Sequence, residues 1–138
     1  MAYATNELYS TNDVGDRSYG VEVKTIQPKT FAASVVSPTY PVLTPVAFNT
    51  ATNFWTAWVS GGANGTGTIL GFVWPDETVM DAADEVLANV LIEGKILYSD
   101  IEAAVLSRGV ETAANLKTSL RSGPRTQGLI IQGLDMVR

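Results

Sequence analysis

The chain has 138 residues, 46% of them apolar, and a formal net charge of −5 from 14 acidic against 9 basic side chains. That is enough for one domain with a core of its own. It contains no cysteine and no histidine, which excludes disulfides, thiolate zinc sites, thiol nucleophiles and any Ser-His or Cys-His pair.

An acidic chain poor in Lys and Arg argues against nucleic acid as a partner, because phosphate binding needs basic residues gathered on one face. No apolar run approaches the ~20 residues of a membrane span. The opening Met-Ala-Tyr-Ala-Thr-Asn-Glu lacks the basic and apolar regions of a secretory signal. The expectation is a soluble protein made in a cytoplasm.

Residues 1–18 are small and polar without apolar periodicity, the composition of an arm that does not fold alone. Tyr19–Thr25 alternates Val21 and Val23 with Glu22 and Lys24. Period 2 predicts a half-exposed strand, ended by Pro28. Pro38, Pro41 and Pro45 then forbid helix and favour an extended path. Val46–Phe48 reads as a short strand, 49–53 as a turn and Phe54–Val59 as the returning strand. Gly61–Gly67 is a loop, and Thr68–Trp74 a buried strand closed by Pro75.

Periodicity leaves Asp76–Asp84 undecided between a helical turn and a loop. Val86–Ile92 and Lys95–Tyr98 flank Glu93-Gly94, which reads as a tight hairpin. Ser99 and Glu102 have capping-box spacing. They predict a helix over about 100–107, interrupted at Gly109, resumed over 111–120 and stopped by Ser122-Gly123-Pro124. Leu129–Val137 reads as a last strand tied into the sheet. The fold class expected is α+β, mostly β: a small β-rich domain spanning 31–138, with a helical insertion near 99–121, behind an extended N-terminal arm, 1–30.

Charge is unevenly spread. Residues 30–75 carry none, whereas residues 76–111 carry nine acids against Lys95 and Arg108, and the remainder is basic. Uncharged core strands and polar turns account for part of the gap. A surface covered by other subunits accounts for it equally, since interface cores are depleted in charge. An acidic block and a basic tail would suit subunits meeting head to tail.

The candidate constellations mostly have plainer readings. Gly61–Gly67 lacks the Lys that a phosphate-cradling loop requires after its last glycine, so it reads as a hairpin tip. Asn64-Gly65-Thr66 is a glycosylation triplet that stays bare without a secretory signal. Asp76, Glu77, Asp81, Asp84 and Glu85 lack the ligand spacing of a calcium loop and read as a solvated acidic face. A carboxylate glycosidase in so small a chain would be unusual. Trp55, Trp58 and Trp74 are the kind of residue that fills cores and interfaces. Trp55 and Trp58 are three apart on one strand, so one should point outward. No catalytic residue, metal site or cofactor is predicted.

Four segments resemble a known family. Leu43-Thr-Pro-Val-Ala-Phe-Asn-Thr-Ala-Thr-Asn-Phe-Trp-Thr-Ala-Trp58 is similar to the Thr-Pro, short strand, polar turn and Ala-Trp sequence of the lambda-type bacteriophage head decoration proteins. Gly67–Val73, Gly94-Lys-Ile-Leu-Tyr-Ser-Asp-Ile101 and Gly128–Val137 resemble, in order, that family's Gly-hydrophobic-Gly strand, its hairpin arm and its final strand.

The resemblance implies a homotrimer on the capsid exterior. It would cap local threefold positions of the expanded head and cement the major capsid protein, with an N-terminal arm adding a strand to that protein. Tyr19, Val21, Glu22, Val23, Lys24 and Thr25 are the segment expected in that role. Pro41, Pro45, Trp55 and Trp58 are the expected subunit or capsid interface. The longer arm and the Ser99–Leu120 insertion depart from the family's pattern. The alternative carried beside this is a carbohydrate- or receptor-binding virion module using Trp55, Trp58 or the Gly61–Gly67 loop.

Overall fold

The structure, a computed structural model, describes residues 22–34, 38–81, 83–122 and 128–134. The elements in chain order are β1 (Glu22–Phe31), β2 (Thr39–Tyr40), β3 (Pro45–Asn49), β4 (Phe54–Ala57) and β5 (Gly71–Val73), followed by β6 (Thr78–Val79), β7 (Val86–Leu97), α1 (Tyr98–Arg108), α2 (Ala113–Ser122) and β8 (Leu129–Gln132). This is the expected small, β-rich α+β domain.

Strand pairing closes a ring. The sheet runs β1-β4-β3-β5-β7-β8, and β1 also pairs antiparallel with β7. One long edge of β7 takes β1; the other takes β5 at Val90–Leu91 and then β8 in parallel at Gly94–Leu97. Closure through β1 and β4 rests on a single parallel register pair, Phe31 with Trp55. A separate two-stranded sheet joins β2 to β6.

Side chains alternate across a strand, and here both faces of the central strands are covered. Phe72 and Leu91 point into a cluster with Trp58, Trp74 and Ile96, while Val73 and Val90 point into another with Phe31, Tyr40 and Met80. Burial on both faces explains why 68–74 reads as continuously apolar rather than alternating. The strand proper is shorter, Gly71–Val73.

The helices cover the first cluster. Tyr98, Ile101, Ala104 and Val105 form the buried stripe of α1, spaced as one helix face requires, and Leu116 and Leu120 of α2 join them. Gly109 ends α1 in the left-handed conformation, its N–H donating to the Leu106 carbonyl.

Four local expectations need correction. Pro28 does not end β1, which continues to Phe31 with Pro28 opposite Asn89; an edge strand tolerates proline because one side of its backbone has no ladder to break. Glu93-Gly94 is not a hairpin: β7 runs straight through it. Gly94 instead has φ 151°, and a Cβ there would collide with the Glu22 carbonyl of β1. Ser99 does not cap α1, which starts at Tyr98 with no side-chain cap; Glu102 accepts a hydrogen bond from the Tyr98 hydroxyl at 2.8 Å instead. The undecided Asp76–Asp84 contains β6.

The domain boundary moves as well. Residues 22–30 belong to the sheet of the domain, not to an arm ending at residue 30. Tyr19 and Val21 lie outside the described residues.

Candidate docking surface

β1 is held along one side only. Its register with β7 runs from Glu22 opposite Lys95 to Phe31 opposite Val86, with irregularities between Val23 and Ile26. Among the described residues, its second edge from Glu22 to Thr30 has no strand partner, since β4 meets it only at Phe31. The root of the ribbon is fixed by side chains. Lys95 Nζ lies 3.2 Å from the Glu22 carboxylate, and the Thr25 hydroxyl donates to Glu93. Exposed ion pairs of this kind contribute about 0–1 kcal/mol, so backbone pairing does most of the holding.

The ribbon shows apolar side chains to water. Val23 is 44% exposed, Ile26 38% and Leu87 70%. Ile26, Pro28 and Thr30 stand opposite Leu91, Asn89 and Leu87, so these side chains share one face, exposed at Ile26, Pro28 and Leu87 and buried at Leu91. The irregularity and Pro28 are devices that blunt an open edge against unselective pairing.

Where β1 leaves β4, a cleft of about 340 Å³ opens, lined by Lys29, Trp55, Leu70, Ile92 and Glu93. Lys29 Nζ sits 5.1 Å from the Trp55 ring centroid and donates to Gln27 Oε1 at 2.8 Å. Phe48 meets Trp55 edge to face, centroids 6.0 Å apart. The cleft is an aromatic wall with one cation and one carboxylate at its rim, a shape suited to an apolar side chain of an extended peptide.

The four expected interface residues divide. Trp55 is half-buried and lines the cleft, and Pro41 is half-buried. Pro45 and Trp58 are buried and are corrected from interface to core. Trp58 donates its indole N–H to the Gly67 carbonyl at 3.2 Å, so it offers no face for stacking on a sugar. Of the arm segment, Glu22, Val23 and Thr25 are already paired with the chain's own β7, with Lys24 at the irregularity between Val23 and Thr25.

The Gly61–Gly67 loop consumes its own polar groups. Val59 N–H donates to Thr66, Gly62 to Val59, Thr66 to Ala63 and Thr68 to Gly65, while Thr50 ties Asn64 to the β3–β4 turn. Asp76, Glu77, Asp81, Asp84 and Glu85 are all exposed. Among the described residues no three metal-ligating side chains cluster, and no helix is long and apolar enough to cross a membrane.

At the helical insertion, burial and the Glu102 carboxylate push the Tyr98 phenol up to about 12. Burial also raises Asp100, whose Oδ2 is buried without a hydrogen-bond partner.

Sequence reasoning missed the cleft. Its walls come from β1, β4, β7 and the residue before β5, and only the half-exposed aromatic at Trp55 was a local signal. Searches against family models, curated proteins and solved structures find no match to this chain.

Proposed function

We propose that this chain is a head decoration protein of the lambda-type bacteriophage kind. It is a homotrimer on the virion exterior that caps local threefold positions of the expanded capsid and cements the major capsid protein. The ordered resemblance of 43–58, 67–73, 94–101 and 128–137 to that family supports the reading. The observation that carries it is the edge of β1 over Glu22–Thr30, which has no strand partner among the described residues, at the root of the 21 residues that precede it.

Attachment works by strand addition. Residues 1–21, with Tyr19 and Val21, continue from β1, whose inner edge stays bonded to β7. The outer edge, including Glu22, Val23, Lys24 and Thr25, supplies N–H and C=O groups to a capsid strand, each bond worth roughly 1 kcal/mol net. Ordering an arm costs ~1–2 kcal/mol per residue, so a single attachment is weak. Three attachments on one trimer reinforce one another through effective concentration. The task requires shape and main-chain pairing and no catalytic group.

Removal of residues 1–25 tests the reading, because it takes away residues 1–21 together with the Glu22–Thr25 edge and leaves the pairing of Ile26–Phe31 with β7 in place. The truncated chain is expected to stay folded with unchanged oligomeric state, and to lose binding to expanded heads stripped of decoration protein. Normal occupancy of those heads by the truncated chain would overturn the assignment.

A further inference from the structure

The groove behind the β2–β6 sheet is unrelated to the β1 edge. It measures about 270 Å³ and is lined by Tyr40, Thr56, Trp58, Val59, Arg108 and Val110, with Glu111 at its rim. Val59 and Val110 are 49% and 62% exposed. The Arg108 guanidinium, in the last turn of α1, lies 4.8 Å from the Tyr40 ring centroid.

Glu111 lines the same groove but makes no ion pair with Arg108. Its Oε2 accepts the Ser60 N–H at 2.9 Å and its Oε1 accepts from the Asn115 amide at 3.3 Å. Among the described residues the ion pair is Lys95 with Glu22, so Arg108 has no carboxylate of its own there. The groove therefore combines two exposed aliphatic side chains with a guanidinium that, among the described residues, has no carboxylate within 4.0 Å.

The opposite face of the same small sheet carries the complementary chemistry. Tyr40 pairs with Thr78 and Thr39 with Val79. Paired residues share a face and neighbours alternate, so Tyr40, 7% exposed, faces the groove while Val79, 56% exposed, faces away. Val79 is flanked by the exposed acids Glu77 and Asp81. An aliphatic knob between two carboxylates stands on one side; an aliphatic slot with a guanidinium lies on the other.

We infer that these two faces bind each other between copies of this chain, Val79 of one copy entering the Val59–Val110 slot of the next while Glu77 or Asp81 reaches Arg108. Two different patches on opposite faces make a head-to-tail contact, and such contacts either close into a ring or propagate. The contact rests on the trimer reading above and gives it a specific interface. Arg is suited to the role because its fork donates two parallel hydrogen bonds to a carboxylate while its flat face stays on the Tyr40 ring.

The test uses the full chain, with association followed by light scattering across a dilution series. Arg108→Glu is expected to weaken self-association at least roughly tenfold, and Glu77→Arg with Asp81→Arg to restore it in the Arg108→Glu background. Because Arg108 also packs on Tyr40, Val79→Lys serves as a second probe on a fully surface face. It is expected to weaken association equally with an unchanged melting temperature. Wild-type-like assembly of both Arg108→Glu and Val79→Lys would overturn this contact while leaving the trimer intact. A wild-type chain that stays monomeric at every concentration would overturn the trimer and the contact together.

Discussion

Two regions of this molecule are made of the same kinds of residue and do opposite things with them. In the body, Phe72, Val73, Val90 and Leu91 are all fully buried, because β5 and the middle of β7 have packed layers on both faces. In the ribbon formed by β1 and the same β7, Val23, Ile26 and Leu87 remain exposed. The body is held by side-chain burial, worth roughly 1.5–3 kcal/mol for each large apolar group. The ribbon is held by backbone pairing and leaves its apolar groups in water.

The sharpest way to break that contrast is to truncate one side chain in each region. Phe72→Ala should cost about 3–5 kcal/mol, the usual range for emptying a core aromatic, whereas Ile26→Ala should cost less than about 1 kcal/mol. Urea unfolding of both variants decides it, and equal losses would show the ribbon to be part of the core.

A smaller effect sharpens the boundary between the regions. Gly94→Ala places a Cβ against the Glu22 carbonyl in a conformation that favours glycine, a strain of about 1–3 kcal/mol. The amides of 22–25 should then exchange faster, while those of β5 keep their protection. Uniform acceleration across the sheet would mean that ribbon and body open as one unit.

The smallest effect appears only in alkali, where body meets helices. The unfolded Tyr98 phenol loses its proton near pH 10, whereas in the folded chain it holds it to about 12. Its stabilising contribution is therefore complete below pH 10 and is lost as pH rises through 12. Thermal unfolding of Tyr98→Phe across that window should show a shallower alkaline decline than the wild type. Parallel profiles would assign the decline to other groups.

Much of the fold is legible in the residues, and the failures have physical causes. Pro45 marks the start of β3, and glycines mark the Gly61–Gly67 loop, because those residues act locally. The period-3 separation of Trp55 and Trp58 does put them on opposite faces, Trp58 within one cluster and half-buried Trp55 against the other. Glu93-Gly94 misleads because the glycine that a turn would need is used for close approach of β1, a neighbour distant in sequence. Ser99 misleads because α1 runs directly out of β7, so the extended N-cap position falls on Leu97 and Ser99 lies already inside the helix. The cleft at Trp55 and the slot at Arg108 were illegible for one reason: each joins residues from several elements whose proximity exists only after the ring has closed.

That ring has a consequence for how the chain is made. β7 touches β1, β5 and β8, and Thr25 finds Glu93 only across a separation of 68 residues. On the ribosome, β1 must therefore wait with its backbone unpaired until β7 emerges, since long-range strand pairing is slow and leaves nascent edges open to wrong partners. The proline and the irregularity in β1 thus guard the newborn chain as well as the finished one.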